Sequence, residues 1–326
     1  MADLQVAGAG SMSKRDARVG LLFASPWILG FLIFLTYPLI ASLIYSFTNF
    51  SILRPPKLIG LQNYNELFHD EVFYKSLSNT LLYVAGAVPL STVVAIALAL
   101  LLNTKVKGMS VYRTMFFLPT LVPMVALGTL FSWVFNGDFG LLNEAFHKVN
   151  DSRAMDLISS ARSILLQAPY HKISVPPPNW MGDPAWTKWT LILISIWGCG
   201  QAMVIYLAGL QDVPVSLYEA AELDGAKLWA KTMKVTLPMI SPVILFNVVM
   251  AIIGSLQIFA VPYVMFPGGA PARSTYFYAS YLYDNAFQYQ RMGYASAMGW
   301  VLFVITLSLT LIALKLSEKH VHYESN

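Results

Sequence analysis

Residues 19–47 read VGLLFASPWILGFLIFLTYPLIASLIYSF, a stretch without one charged side chain. A helix of about 20 apolar residues crosses the roughly 30 Å hydrocarbon layer of a bilayer, so this run is long enough to span it. Lys14, Arg15 and Arg18 precede it, as basic residues precede the apolar region of a secretory signal. That region is only about 7 to 15 residues long, however, and this one is much longer, so it reads as a retained first span. Helix is the state it must take, because an isolated strand in lipid leaves its backbone groups unpaired.

Working outward, the same test finds further runs at about 77–102, 114–135, 189–210, 240–263 and 294–315 beside the first at 20–47. The expected fold is therefore an all-α membrane protein with six transmembrane helices. Its parts would be a tail at 1–19, a membrane region at 20–316 and a second tail at 317–326. Composition agrees: of 326 residues, 56% are hydrophobic and 12% charged, against roughly 45–50% and about 25% in soluble domains. Pro26, Pro38, Pro89, Pro119 and Pro123 fall in or near the spans and predict kinks.

Basic residues set the direction. Lys14, Arg15 and Arg18 precede span one, Lys105, Lys107 and Arg113 fill the short link between spans two and three, and Lys227, Lys231 and Lys234 lie between spans four and five. All three clusters fall on one side, which the positive-inside rule makes cytoplasmic together with both termini and the segment 211–239. Arg153, Arg162 and Lys172 lie in the opposite loops, which are longer and more sparsely basic. The longest of these, an outer insertion at about 136–188, ends in Pro176-Pro177-Pro178-Asn179-Trp180. It is expected to hold one short outer-surface helix from Arg153 to Gln167, where Leu157, Ile158, Ala161, Ile164 and Leu165 form an apolar stripe opposite Ser159, Ser160, Arg162 and Ser163. Such a stripe suits a membrane surface or an external docking partner.

Several functions are excluded. The net charge of +4 is small and scattered, with no basic and aromatic stripe, so nucleic acid is not a partner. Cys199 is the only cysteine and is read as a small apolar filler. His69, His147, His171, His320 and His322 lie outside the spans in no metal-binding pattern, and the last two are read as part of a solvated tail. The interiors of the spans hold no Asp, Glu, Lys, Arg or His, whereas ion-coupled transporters keep such groups in the membrane. There is no phosphate-cradling G-x-x-x-x-G-K-[ST] and no G-x-S-x-G elbow. Glu66, Asp70 and Glu71 read as solvated loop charges. The chain is thus not expected to be an enzyme, to hold a metal or to bind a cofactor.

The segment Tyr218-Glu219-Ala220-Ala221-Glu222-Leu223-Asp224-Gly225-Ala226 carries the function, together with Val235-Thr236-Leu237-Pro238. Glu219, Ala220 and Ala221 suit a short helix that a partner can approach closely, and Gly225 can take the positive φ that ends it. In the following piece Lys227, Lys231 and Lys234 would share one helical face, with Trp229 and Met233 on another. The arrangement resembles the EAA loop of ABC importer permeases: E-A-A, three residues, G, nine residues, a hydrophobic residue, any residue, L-P. Every fixed position matches.

Other stretches resemble the carbohydrate-uptake branch, which contains the maltose and glycerol-3-phosphate permeases. These are Tyr37-Pro38-Leu39, Gly60-Leu61-Gln62-Asn63-Tyr64, Asn79-Thr80, Phe117-Leu118-Pro119, Ala208-Gly209-Leu210-Gln211 and Gly293-Tyr294-Ala295-Ser296-Ala297. Gly268-Gly269-Ala270-Pro271 differs from the branch's G-G-P by an added alanine. The resemblance implies a multi-pass subunit of the bacterial inner membrane that works by alternating access. Its implied partners are a second homologous permease, an ATPase dimer that carries ATP and Mg, an extracytoplasmic solute-binding protein, membrane lipid and a carbohydrate. It implies ATPase coupling by Glu219, Ala220, Ala221, Asp224 and Gly225.

By spacing from that motif, the resemblance places Trp197, Gly198, Gln201, Ala251, Ser255 and Ile258 along the solute path. Ala251 and Ile258 cannot hydrogen-bond through their side chains, which brings in their neighbours Asn247 and Gln257. Helix packing explains the same residues equally well. The rival reading is a stand-alone six-span facilitator or channel, which leaves the spacing from Glu219 to Pro238 to chance.

Overall fold

The computed structural model describes residues 14–104, 106–166 and 176–318. The first part of the expected N-terminal tail, Lys105, Gln167, His171, Lys172 and all but the start of the C-terminal tail, with His320 and His322, lie outside the described residues. No strand occurs among the described residues, and only the isolated bridges Thr48–Leu58 and Ser51–Arg54 break the helical pattern. Four helices are long and apolar enough to cross a membrane, and six spans result when each of two bent pairs counts as one. The chain divides into two compact units, residues 1–67 with 285–300 and residues 68–284 with 301–326.

In the first unit, α1 (Lys14–Phe31) runs through a π-helical turn at Leu32–Thr36 into α2 (Tyr37–Ser46). Pro38 stands in the first turn of α2, where its missing N–H matters least. The carbonyls at the end of α2 need donors. Asn63, on α3 (Gln62–Leu67), supplies them: its buried amide donates to Ser46 O and Thr48 O, both at 2.8 Å, while the Tyr64 hydroxyl donates to Ser46 Oγ at 2.8 Å. The Gly60-to-Tyr64 stretch is thus the cap of span one. Arg291 completes the unit: its Nη2 donates to both carboxylate oxygens of Glu66 at 2.6 Å, and its guanidinium lies over the Tyr294 ring at 4.3 Å. Gly293 donates its N–H to Phe50 O, and a Cβ there would run into Thr48 O, so only glycine fits.

In the second unit, α4 (Glu71–Leu102) is the spine, capped by the Asp70 carboxylate, which accepts from Val72 N at 2.8 Å. Its small residues Ala95 and Ala99 are fully buried, and Gly86 meets Ile192 so closely that a Cβ would lie 2.6 Å from the isoleucine side chain. These positions let α4 pack directly on its neighbours, as small residues do between membrane helices. Asn79 donates to Arg273 O and Tyr276 O, and Thr80 accepts from Tyr278 N, which accounts for that polar pair in an apolar helix.

Spans three and four are not the continuous helices the sequence predicts. α5 (Met109–Phe117) and the tight turn Leu118–Leu121 meet α6 (Met124–Val134) at 99°. Pro123 explains the break: it has no N–H, and its ψ of 136° is extended. The outer insertion also holds two helices instead of one, α7 (Leu141–Asn150) and α8 (Arg153–Leu166). Leu142 and Phe146 of α7 pack on the cluster around Trp180, whose indole N–H donates to Asn143 at 2.9 Å. On α8 the stripe residues Leu157 and Ile158 are exposed, whereas Ser159 is buried and hydrogen-bonds to Met155 O.

Span four is α9 (Pro184–Trp197) and α10 (Gly200–Gln211), bent by 46°. There follow α11 (Val215–Leu223), α12 (Leu228–Lys231), a π-helical turn at Thr232–Thr236 and α13 (Leu237–Met239). Span five is α14 (Ser241–Leu256) continued by α15 (Ala260–Met265). After α16 (Tyr278–Tyr283), α17 (Met292–Ser317) closes the chain as the sixth.

Removing the Asn63 amide leaves buried carbonyls unpaired at about 2 kcal/mol. Asn63→Ala should therefore lower the thermal unfolding midpoint of the detergent-purified permease, and an unchanged midpoint would show that this cap does not hold span one.

Candidate functional site

Two regions collect the residues singled out by the sequence. The first is the turn between α11 and α12. Gly225 has φ +73°, and around it Gly225 N–H donates to Glu222 O and Ala226 N–H to Ala221 O, both at 2.9 Å. This pair of bonds ends a helix through a left-handed residue and satisfies its last carbonyls. The fixed glycine of the motif is therefore a backbone requirement. Glu219, Ala220, Asp224 and Gly225 are exposed and Ala221 is half-buried. Beside them lie large apolar side chains open to the surroundings: Leu223 is 90% exposed, Leu228 81% and Trp229 72%.

The turn is fastened to the spans. The hydroxyls of Tyr218 and Thr236 are 3.1 Å apart, and Thr236 is buried. Tyr218 and Leu237 pack on the core formed by Ala95, Ala99, Met203, Tyr206 and Ile240. Lys231 pairs with Glu222 at 2.5 Å. The expected single face of lysines is not formed. Lys227 is extended (ψ 163°) ahead of α12, and the π-helical turn at Thr232–Thr236 shifts Lys234 out of register with Lys231.

The second region is a cavity of about 520 Å³ within the second unit, where three spans are interrupted. It reaches the start of α6 at Met124, the α9/α10 break at Gly198 and the α14/α15 break at Gln257 to Phe259. Of the residues the sequence nominated, Gly198, Ser255, Gln257 and Ile258 line it. The others do not. Trp197 stands edge-on to Phe131, with ring centroids 5.4 Å apart. Asn247 is buried and donates to Val243 O. Gln201 is exposed in the first turn of α10.

Sequence reasoning missed Tyr83, Ser195 and Phe259, which also line the cavity. The Ser195 hydroxyl donates to Ile192 O at 2.6 Å, and the Phe259 ring packs tilted against those of Tyr263 and Tyr283, with centroids 4.9 Å apart in each pair. The available signal was Tyr83 itself, the one tyrosine in the apolar run 77–102. No charged side chain lines the cavity, and no cluster of potential metal ligands occurs among the described residues. Hydroxyls, an amide and aromatic faces remain, which can bind a polar neutral group but offer no covalent chemistry.

Residues 87–321 match the family described as the binding-protein-dependent transport system inner membrane component, and the chain belongs to it. It is the membrane-spanning permease subunit of an ATP-binding-cassette importer. The probable ABC transporter permease protein YesP of Bacillus subtilis (strain 168) is 39% identical over 326 residues, 98% of each chain. The arabinooligosaccharides transport system permease protein AraP of the same organism is 34% identical over 300 residues, 91% of this chain and 87% of the relative. A solved bacterial ABC transporter involved in the import of the acidic polysaccharide alginate has the same fold. Its TM-score is 0.74 at 24% identity, over 94% of this chain and 98% of that one.

Cys199 is buried, whereas Gly198 beside it is exposed with φ −85°, and a Cβ added there would meet only Ser195 O, at 3.7 Å. A water-soluble maleimide should leave the native thiol unlabelled in folded protein but label Gly198→Cys in a Cys199→Ser background. The reverse pattern would place the cavity mouth elsewhere.

Proposed function

We propose that this chain forms half of the path by which a saccharide enters a bacterial cell, driven by a separate ATPase that bears on α11. The observation that carries this reading is the fastening of an exposed apolar turn to the packed spans through Tyr218, Thr236 and Leu237. A turn held this way moves with the helices behind it, so force applied at Leu223 or Trp229 reaches the core. Glu219, Ala220, Ala221, Asp224 and Gly225 are the coupling residues in this reading. ATP and Mg reside on the ATPase, and no catalytic residue is supplied here.

The family description, which names binding-protein dependence, supports an extracytoplasmic solute-binding protein as a partner. A second, homologous permease completes the path. The basic clusters flanking spans one, two and five favour cytoplasmic termini and a cytoplasmic segment at 211–239, with the insertion 136–188 outside. The tails at 1–19 and 317–326 then flank a single membrane region, 20–316. Closure of the ATPase pair draws the coupling helices together and opens the cavity outward, and hydrolysis reverses the change, a rigid-body switch between two packings.

The solute class is supported by relatives named for arabinooligosaccharide and lactose transport. The lining of Tyr83, Ser195, Ser255, Gln257 and Phe259 agrees with it, since sugars present hydroxyls and apolar ring faces.

A branched side chain at Gly225 opposes its left-handed backbone by roughly 1–2 kcal/mol. Gly225→Val should abolish solute-stimulated ATP hydrolysis by the assembled importer while leaving the chain in the membrane, and full transport by this variant would refute the coupling role. Ser255→Ala with Gln257→Ala should raise the apparent KM for transport about tenfold through two lost hydrogen bonds. An unchanged KM would remove both from the solute path.

A further inference from the structure

Lys75 and Lys188 are ionisable groups that the reading above leaves unused. On α4, Lys75 shares a helical face with Asn79, Tyr83 and Gly86, spaced i, i+4, i+8 and i+11. On α9, Lys188 shares a face with Ile192 and Ser195, spaced i, i+4 and i+7. These are the faces the two helices turn toward one another, because Gly86 receives Ile192 and both Tyr83 and Ser195 line the cavity. Lys75 therefore stands about 12 Å along α4 from Tyr83, and Lys188 about 4–5 Å along α9 from Leu191, which also lines the cavity. The two ammonium groups are near enough to act on each other's charge.

The backbone of a third basic residue is held at the same place. Asn79, one turn beyond Lys75, holds the Arg273 carbonyl, and Thr187, next to Lys188, shares a 2.8 Å hydroxyl contact with Ser274. The exposed residue Arg273 is thereby pinned between the two helices.

The nearby carboxylates form no ion pair with this group among the described residues. Asp183 caps α9 by accepting from Ala185 N, and Asp70 caps α4 and accepts from the Tyr281 hydroxyl. Among the described residues, Glu71 forms no ion pair, and neither do Lys75, Lys188 and Arg273. Lys188 is partly buried in a helix of a candidate span, where a cation beside a like charge is costly unless an anion joins it. Lipid phosphate is one such anion, and a carboxylate carried by the solute is another. Both lysines lie on the helical faces that lead to the cavity lining.

We propose that Lys75 and Lys188 bind the carboxylate of an acidic saccharide as it approaches the cavity, so that the importer's solute is a uronate-bearing oligosaccharide. This rests on the saccharide-import reading and narrows it. The carboxylate is held between the two ammonium groups, and the neutral cavity beyond takes the hydroxyl-bearing rings.

The test uses the complete importer in proteoliposomes, supplied with uronate di- to tetrasaccharides and with their methyl esters. The acids should be preferred, and Lys75→Gln with Lys188→Gln should lower the ratio of acid to ester uptake about tenfold, the size of one lost charge-assisted hydrogen bond. Lys75→Arg with Lys188→Arg should restore that ratio. Uptake of esters as fast as acids, or a ratio unmoved by the glutamine pair, overturns the inference but leaves saccharide import standing. Uptake of neither form overturns both. Repeating the assay with and without phosphatidylglycerol identifies the remaining source: if the lysines govern only the response to this lipid, headgroup phosphate is their counter-ion and the inference fails.

Discussion

A backbone inside a bilayer must satisfy its own hydrogen bonds, and this requirement arranges nearly everything in the chain. It makes helix the only local structure available to the long apolar runs. It also decides where a helix can stop. An interrupted span exposes carbonyls and N–H groups, which are tolerated only where protein covers them or a cavity admits water. The three interruptions at Pro123, Gly198 and Gln257 to Phe259 all meet the same cavity. Polar backbone and solute-sized space are thus two aspects of one arrangement.

The same requirement explains the polar residues that do occur in or beside the spans. Asn63 closes the end of α2, Asn79 holds the loop before α16, and Thr80 receives Tyr278 N. Each answers a backbone group that no bond within a helix serves. The glycines divide by a different logic. Gly225 is fixed by its dihedral angle, whereas Gly293 is fixed by the closeness of Thr48.

Much of this was legible in the sequence. Length and apolarity locate six spans, and the spacing from Glu219 to Pro238 locates the turn, with the positive φ of Gly225 predicted from its position. The breaks were harder to read, since Trp197-Gly198-Cys199 is as apolar as the residues around it and hydropathy does not register a 46° bend. α7 escaped notice because Leu142 and Phe146 give only one pair at i, i+4, and their meaning depends on Trp180, far away in the chain. The lysine spacing after Gly225 misled for a related reason: a π-helical turn adds a residue that no periodicity count anticipates. Four of the eight residues considered for the solute path line the cavity, because distance along a span was measured as if each span were straight.

The length of α4 has a consequence of its own. At 32 residues it is about 48 Å long, well beyond the roughly 30 Å hydrocarbon thickness of a bilayer. The excess is absorbed by tilt or by projection into the headgroups. Since α9, α10 and α14 all rest on this helix, any change in its inclination is shared by the group. Bilayer thickness thereby becomes a mechanical variable of the protein: a membrane of different depth calls for a different slant of the spine and of the helices that rest on it.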